Sequence, residues 1–279
     1  MMARSGTADE VRNRAETEAV HCRNPRYHPM YHLPSLYDIL HTPGTAEDVT
    51  CYERIARRFG VSPQRWLEPG CGSGRHLRVL AGRGYRATGF DRDAQMVAYA
   101  QASLKNRGLQ ARVFSADMER FAGRLGRQRF DLAINPFSTI RHLMSDRAMQ
   151  RHFSEIANAL RPGGIYLVGI SLANYARDRL ETDLWLANRG RCHLRQEISY
   201  RPASPQQRIE QVESRLRITR PSGEERLSAG YPLRSYSESE WSRLVKKSAL
   251  LRRASLDEWA RPREERTLPY QLEVLQRPA

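Results

Sequence analysis

Trp66-Leu67-Glu68-Pro69-Gly70-Cys71-Gly72-Ser73-Gly74-Arg75 reads as a buried strand that ends on a carboxylate, breaks into a glycine turn and opens a helix. Glycine at 70, 72 and 74 lets the backbone bend and approach a ligand closely, and the helix start offers amide hydrogens that have no partner within the helix. A second strand, Ala87-Thr88-Gly89-Phe90-Asp91, also ends on an acid, 23 residues beyond Glu68. A parallel β-α-β unit uses about that offset to bring a carboxylate to a ribose. Together the two segments predict a nucleoside-cofactor pocket bordered by Glu68, Gly70, Cys71, Gly72, Gly74 and Asp91, with Cys71 serving as the small packed residue of the turn.

The spacing disfavours a dinucleotide. That fingerprint requires G-x-x-G after its first glycine pair, and the position of its last glycine is taken here by the bulky cation Arg75. No Gly-Lys-Ser/Thr follows, so the phosphate cradle of nucleotide hydrolases is missing too. An acid followed by G-x-G-x-G suits S-adenosylmethionine, whose uncharged ribose and zwitterionic tail need close backbone approach rather than a pyrophosphate site.

Later segments continue in matching order. Phe114-Ser115-Ala116-Asp117-Met118 reads as the end of a third strand, Phe130-Asp131-Leu132-Ala133-Ile134-Asn135 as a fourth, and Leu160-Arg161-Pro162-Gly163-Gly164-Ile165-Tyr166-Leu167-Val168 as a turn into a fifth. On these residues the chain resembles the class I S-adenosylmethionine-dependent methyltransferases. The resemblance implies an α/β fold: a Rossmann-like, seven-stranded, mostly parallel sheet with helices on both faces. It further implies Glu68 near the methionine amine, Asp91 on the ribose hydroxyls and Asp117 on the adenine amine. Ala116 and Met118 would lie beside the ring, with Arg92, Met96 and Asn135 completing the cofactor set. A first-turn methionine such as Met96 equally suits plain core packing.

Within that family, the chain is similar to small-molecule N-methyltransferases of the sugar-amine and glycine-methylating type. The likeness rests on Tyr37-Asp38-Ile39-Leu40, on Gly70-Cys71-Gly72-Ser73-Gly74-Arg75-His76-Leu77, on Phe137-Ser138-Thr139-Ile140 with His142-Leu143, and on Arg234-Ser235-Tyr236-Ser237 with Glu240-Trp241. It implies that Tyr37 closes over the methionine end of the cofactor, that Phe137, Ser138 and Tyr236 meet the substrate, and that His142 faces the transferred methyl group as a candidate base. Helix capping by His142 is the other reading. Asn135-Pro136-Phe137 is a one-proline version of the Asn-Pro-Pro-aromatic motif of nucleic-acid and glutamine N-methyltransferases.

The chain reads as a polar arm and lid (residues 1–60), a methyltransferase core (61–185 and 236–279) and inserted antiparallel strands (186–235). Period-two stretches at 193–200, 209–218 and 225–233, separated by Pro-Ala-Ser-Pro and Pro-Ser-Gly turns, define the insert. It would cover the active site or form a homodimer contact. Ser237 and Glu240 predict a capped helix, and Leu251–Trp259 and Tyr270–Leu275 predict antiparallel end strands. No apolar stretch reaches the length of a membrane span and the first twenty residues are charged, which predicts a cytoplasmic protein without an anchor. His21, Cys22, His28 and His32 fit no zinc spacing, so no metal is expected. The net charge of +15 raises a nucleic-acid partner. Only Lys105, Lys246 and Lys247 among the 46 basic residues are lysines, however, and the arginines are spread along the chain rather than gathered in one module. The leading expectation is therefore methyl transfer to an amine or hydroxyl of a small metabolite. An RNA or protein methyltransferase is the second reading, and a non-catalytic nucleoside-binding protein the third.

Overall fold

The structure is a computed structural model that describes residues 32–257, 260–262 and 270–279; the predicted arm before residue 32 and the end of the predicted strand at Trp259 lie outside them. Seven strands form the central sheet: β1 (Arg65–Pro69), β2 (Arg86–Asp91), β3 (Arg112–Ser115), β4 (Phe130–Asn135), β5 (Leu160–Ser171) and, late in the chain, β10 (Leu251–Leu256) and β11 (Tyr270–Gln276). Their order is β3-β2-β1-β4-β5-β11-β10, with antiparallel pairing at β5–β11 and β11–β10 and parallel pairing elsewhere. The order reverses at β1, between β2 and β4. In open α/β sheets this switch point is where the carboxyl ends of the strands leave a crevice for a ligand.

Alternate residues of the strands feed two cores. On one face Leu67, Ala133, Tyr166, Val168 and Ile170 meet Met149, Phe153 and Ile156 of α6 (Asp146–Ala159) and Trp241 of α7 (Glu238–Lys246). On the other face Trp66, Leu132, Ile134, Ile165 and Leu167 meet α2 (Thr45–Arg58), α3 (Arg75–Gly82) and α4 (Ala94–Lys105). This period of two, with both faces apolar, is what a doubly covered parallel sheet requires. Local signals act as expected: Asp93 caps α4 through the amides of Gln95 and Met96, and Ser237 and Glu240 form a reciprocal capping box on α7.

Four antiparallel strands make a separate sheet in the order β6-β7-β8-β9: β6 (Glu181–Arg189), β7 (Cys192–Arg201), β8 (Ile209–Arg220) and β9 (Gly223–Arg234). Its first strand starts at Glu181, within the stretch up to 185 read as core. Leu184 and Leu186 of β6 are exposed while Trp185 and Ala187 face inward, so apolar residues fall on both sides and the strand shows no apolar–polar alternation. The inner face of the insert packs Leu194, Leu216 and Ile218 on Leu36, Ile39 and Leu40 of α1 (Pro34–His41).

One histidine links the sheet to α6. His152 is fully buried, with Nδ1 2.9 Å from the Met118 carbonyl, which fixes it as the donor there, and Nε2 2.8 Å from the Tyr166 hydroxyl, from which it accepts. Burial lowers its pKa from 6.5 to about 4. The native state keeps the ring neutral while the unfolded chain takes up a proton below 6.5, so stability is complete above that value and is lost progressively as pH falls toward 4. Chemical denaturation of the wild type at neutral pH and near pH 5 should show a loss attributable to His152 of about 2 kcal/mol. The non-titrating variant His152→Gln, less stable at neutral pH, should show that much less pH sensitivity, and an equal acid loss in both proteins would refute the assignment.

Candidate functional site

The site is built at the end of β1. Glu68 pairs in register with Gly89 and Pro69 with Phe90, which brings the tips of β1 and β2 side by side. The chain then turns through Gly70 and Gly72, both with positive φ, and enters α3 at Arg75. A β-carbon on Gly72 would lie 3.3 Å from the Tyr37 ring and one on Gly70 2.8 Å from Thr139 Cγ2, so both positions face an already crowded cleft. Asp91 closes the turn: its carboxylate accepts from the Gly72 amide at 2.9 Å and from the Asp93 amide at 3.0 Å. Burial raises the Asp91 pKa, and those two amides oppose the rise.

Two buried acceptors at this crevice have no hydrogen-bond partner among the described residues: Glu68 Oε2 and Asn135 Oδ1. Asn135 is fully buried and donates Nδ2 to the Pro69 carbonyl at 2.7 Å, tying β4 to the turn. Met118 borders the same corner, its sulfur 3.8 Å from Asn135 Nδ2. Ala116 donates its amide to the Asp91 carbonyl at 3.0 Å, and Asp117 at its exposed position accepts from the Glu119 amide at 2.8 Å. Over the turn lies Tyr37, whose hydroxyl is pushed up to about 12 by burial despite the nearby Arg75 charge. It is a neutral phenol at physiological pH. Cys71 is buried and its thiol is raised by desolvation, as a packing residue of the turn requires.

Beyond β4 the backbone takes positive φ at two consecutive non-glycine residues, Phe137 and Ser138. Such strain, costing about 1–3 kcal/mol per residue, persists only where surrounding contacts fix it. Here the Phe137 amide donates to the Tyr270 hydroxyl at 3.2 Å, and the Ser138 hydroxyl accepts from the Ser171 amide at 2.9 Å. The result points the half-exposed Phe137 ring back over Arg75, whose guanidinium carbon is 4.6 Å from the ring centroid. His142 follows in a 3-10 turn (Thr139–His142) and stacks on Tyr231 of the insert with ring centroids 5.9 Å apart. Burial lowers its pKa to about 4, with the charges of Arg141 and Arg92 adding to the effect.

The structure thus brings Tyr37, Glu68, the glycine turn, Asp91, Arg92, Met118, Asn135, Phe137 and His142 to one end of the sheet. Two residues of the predicted set are enclosed in the protein. Met96 is fully buried in the first turn of α4. Tyr236, expected at the substrate, is likewise fully buried, with its ring beside Trp241 and under the guanidinium groups of Arg208 and Arg234. It supports the base of the insert rather than lining the crevice. Ser138 spends its hydroxyl on Ser171. Residues whose role was not legible include His76, Arg141 and Tyr231. Arg141 fastens the 3-10 turn to the insert through the Arg234 carbonyl at 2.9 Å and the Glu210 carboxylate at 2.9 Å. Among the described residues no group of His, Cys, Asp and Glu is arranged to hold a metal ion, and no helix is long and apolar enough to cross a membrane.

Residues 67–164 match the family described as a methyltransferase domain. The chain therefore carries a methyltransferase domain over those residues. It is similar to dTDP-3-amino-3,6-dideoxy-alpha-D-glucopyranose N,N-dimethyltransferase of Streptomyces fradiae, 30% identical over 143 residues that span 49% of this chain and 52% of the relative. The match thus spans about half the length of that relative. Among solved structures, DesVI of Streptomyces venezuelae aligns with a TM-score of 0.72 at 17% identity, covering 88% of this chain and 96% of that one. The amino pentose methyltransferase CalS10 of Micromonospora echinaspora aligns with a TM-score of 0.66 at 21% identity, covering 92% and 100%. An S-adenosylmethionine-dependent methyltransferase of Clostridium acetobutylicum gives 0.71 at 13% identity, covering 90% and 100%. At such identities the structural likeness is one of fold.

The two unpartnered acceptors and the glycine cradle fit an adenosyl group carrying an amino-acid tail. Replacing Asp91 by alanine should weaken binding of such a nucleoside by about 1–3 kcal/mol, the scale of a hydrogen bond to a charged group. Titration calorimetry with S-adenosylhomocysteine checks this, and an unchanged affinity would remove Asp91 from the site.

Proposed function

We propose that the chain is an S-adenosylmethionine-dependent methyltransferase that transfers a methyl group to an amine of a small metabolite, an amino sugar being the class its relatives suggest. The observation that carries this reading is the pairing of Asp91 with the glycine turn beside the unpartnered Glu68 oxygen. This arrangement suits a ribose diol at one end and an ammonium at the other.

S-adenosylmethionine, when bound, supplies a methyl group on a sulfonium that leaves as a neutral thioether. The chain's own residues align and desolvate. Asp91 accepts from the ribose hydroxyls, Glu68 from the tail ammonium, and Asp117 with Ala116 and Met118 holds the base. Tyr37 and Phe137 exclude water from the two sides of the turn. Fixing the acceptor in line with the methyl group is worth about 7–11 kcal/mol of orientational freedom, the largest contribution such a site can make. His142 is neutral at physiological pH but weakly basic, because burial holds it near 4. It therefore orients the acceptor through a hydrogen bond more effectively than it stores a full proton. We place the enzyme in the cytoplasm, dimeric through the insert.

The test is incubation with S-adenosylmethionine and nucleotide-linked amino sugars, read as methylated product by mass spectrometry. His142→Ala should lower kcat roughly 100-fold with the affinity for S-adenosylhomocysteine unchanged. Transfer to tRNA or rRNA fragments, with binding that falls steeply as salt rises, would favour a polymer substrate instead. No S-adenosylhomocysteine formation with any acceptor would leave a nucleoside-binding protein.

A further inference from the structure

His76 is sealed inside the protein, 1% exposed, in the first turn of α3. Its Nδ1 lies 2.6 Å from Glu68 Oε1, whereas its Nε2, 3.6 Å from Asp48 Oδ2 of α2, makes no hydrogen bond among the described residues. Two aromatic rings enclose it, Tyr52 at 6.1 Å and the strained Phe137 at 6.3 Å between centroids. A hydrogen bond of that length between an imidazole N–H and a carboxylate is of the charge-assisted kind. The contact also fixes which Glu68 oxygen is used. Oε1 is committed to the histidine, while Oε2, equally buried, has no partner among the described residues. An acid inside a core must be paired or it costs several kcal/mol. Half of this carboxylate is paired and half is not.

We propose that His76 is the positioning residue for Glu68: it anchors one oxygen and leaves the other for the ammonium of the cofactor's amino-acid tail. This rests on the adenosyl reading of the site. It assigns tail recognition to the His76–Glu68 pair contributed by α3 and β1, while ribose recognition stays with Asp91. The two halves of the ligand are therefore separable by mutation. The rest of the surroundings of His76 is consistent with this role. Arg75, the charged neighbour in sequence, is turned away to Thr45 and Asp48 and beneath the Phe137 ring, and so does not compete for Glu68.

The experiment compares two nucleosides by titration calorimetry: S-adenosylhomocysteine, which carries the tail, and 5′-methylthioadenosine, which lacks it. His76→Leu should weaken S-adenosylhomocysteine by about tenfold or more and leave 5′-methylthioadenosine unchanged, which also reports that the site is folded. His76→Asn keeps a donor near the Nδ1 position and should recover most of the tail preference, whereas His76→Gln, with its donor nearer the Nε2 position, should not. Equal weakening of both nucleosides in His76→Leu, or weakening of neither, overturns the inference. Should His76→Leu lose both ligands through misfolding, the Asn and Gln variants decide: the same nucleoside preference in the two overturns it. Failure of the wild type to bind either nucleoside would instead sink the adenosyl reading, and this inference with it.

Discussion

The bond from the Gly72 amide to the Asp91 carboxylate, 2.9 Å long, is the constraint on which the site depends. It fastens the turn after β1 to the tip of β2, and the neighbouring Cys71 amide to Phe90 carbonyl bond, also 2.9 Å, secures the same crossing. The carboxylate is half-buried and partly desolvated, and the backbone amides that meet it offset that cost. Carboxylate oxygens accept more than one hydrogen bond each. Asp91 can therefore hold the turn and still present lone pairs to a ligand, which a neutral side chain of similar size could not do as well.

The lid and insert are fastened to this frame mainly by arginine. Asp38 on α1 is fully buried and receives Arg78 of α3, Arg189 of β6 at 2.9 Å and the Tyr99 hydroxyl of α4 at 3.1 Å. One carboxylate so joins the lid, two core helices and the insert. Arg141 does the same for the 3-10 turn beyond β4. A guanidinium with five directed donors can bridge several acceptors at once, which an ammonium on a flexible stem does less well. Much of the basic composition that suggests a polyanionic partner is spent on such internal links, including the pairs of Arg208 and Arg234 with Asp146 and of Arg252 with Glu273.

The pattern of apolar residues with period two, the glycine turn and the strand-end acids were enough to place β1 to β5 and the turn that joins β1 to α3, because each rests on local backbone geometry. The cap at Ser237 and Glu240 was legible for the same reason. The insert was only partly so. Its inward residues on β7 and β8 alternate cleanly, but β6 is an edge strand whose leucines face out, and nothing in its local sequence marks it as a strand. Tyr236 misled because its motif resembles a substrate contact, while packing against Trp241 takes it into the core.

The sequence by itself determined the sheet, the turn and the identity of the acids at Glu68 and Asp91, since strand periodicity, positive-φ glycines and parallel crossover lengths are short-range constraints. Only the tertiary structure decided what those acids are paired with. Asp48, Glu68 and His76 are spread over twenty-nine positions on three elements, and their convergence on one imidazole is a product of how α2 packs on α3 above β1. Burial then makes the geometry consequential: in water the same contacts would be screened, whereas inside the protein they fix which oxygen of Glu68 remains for a ligand.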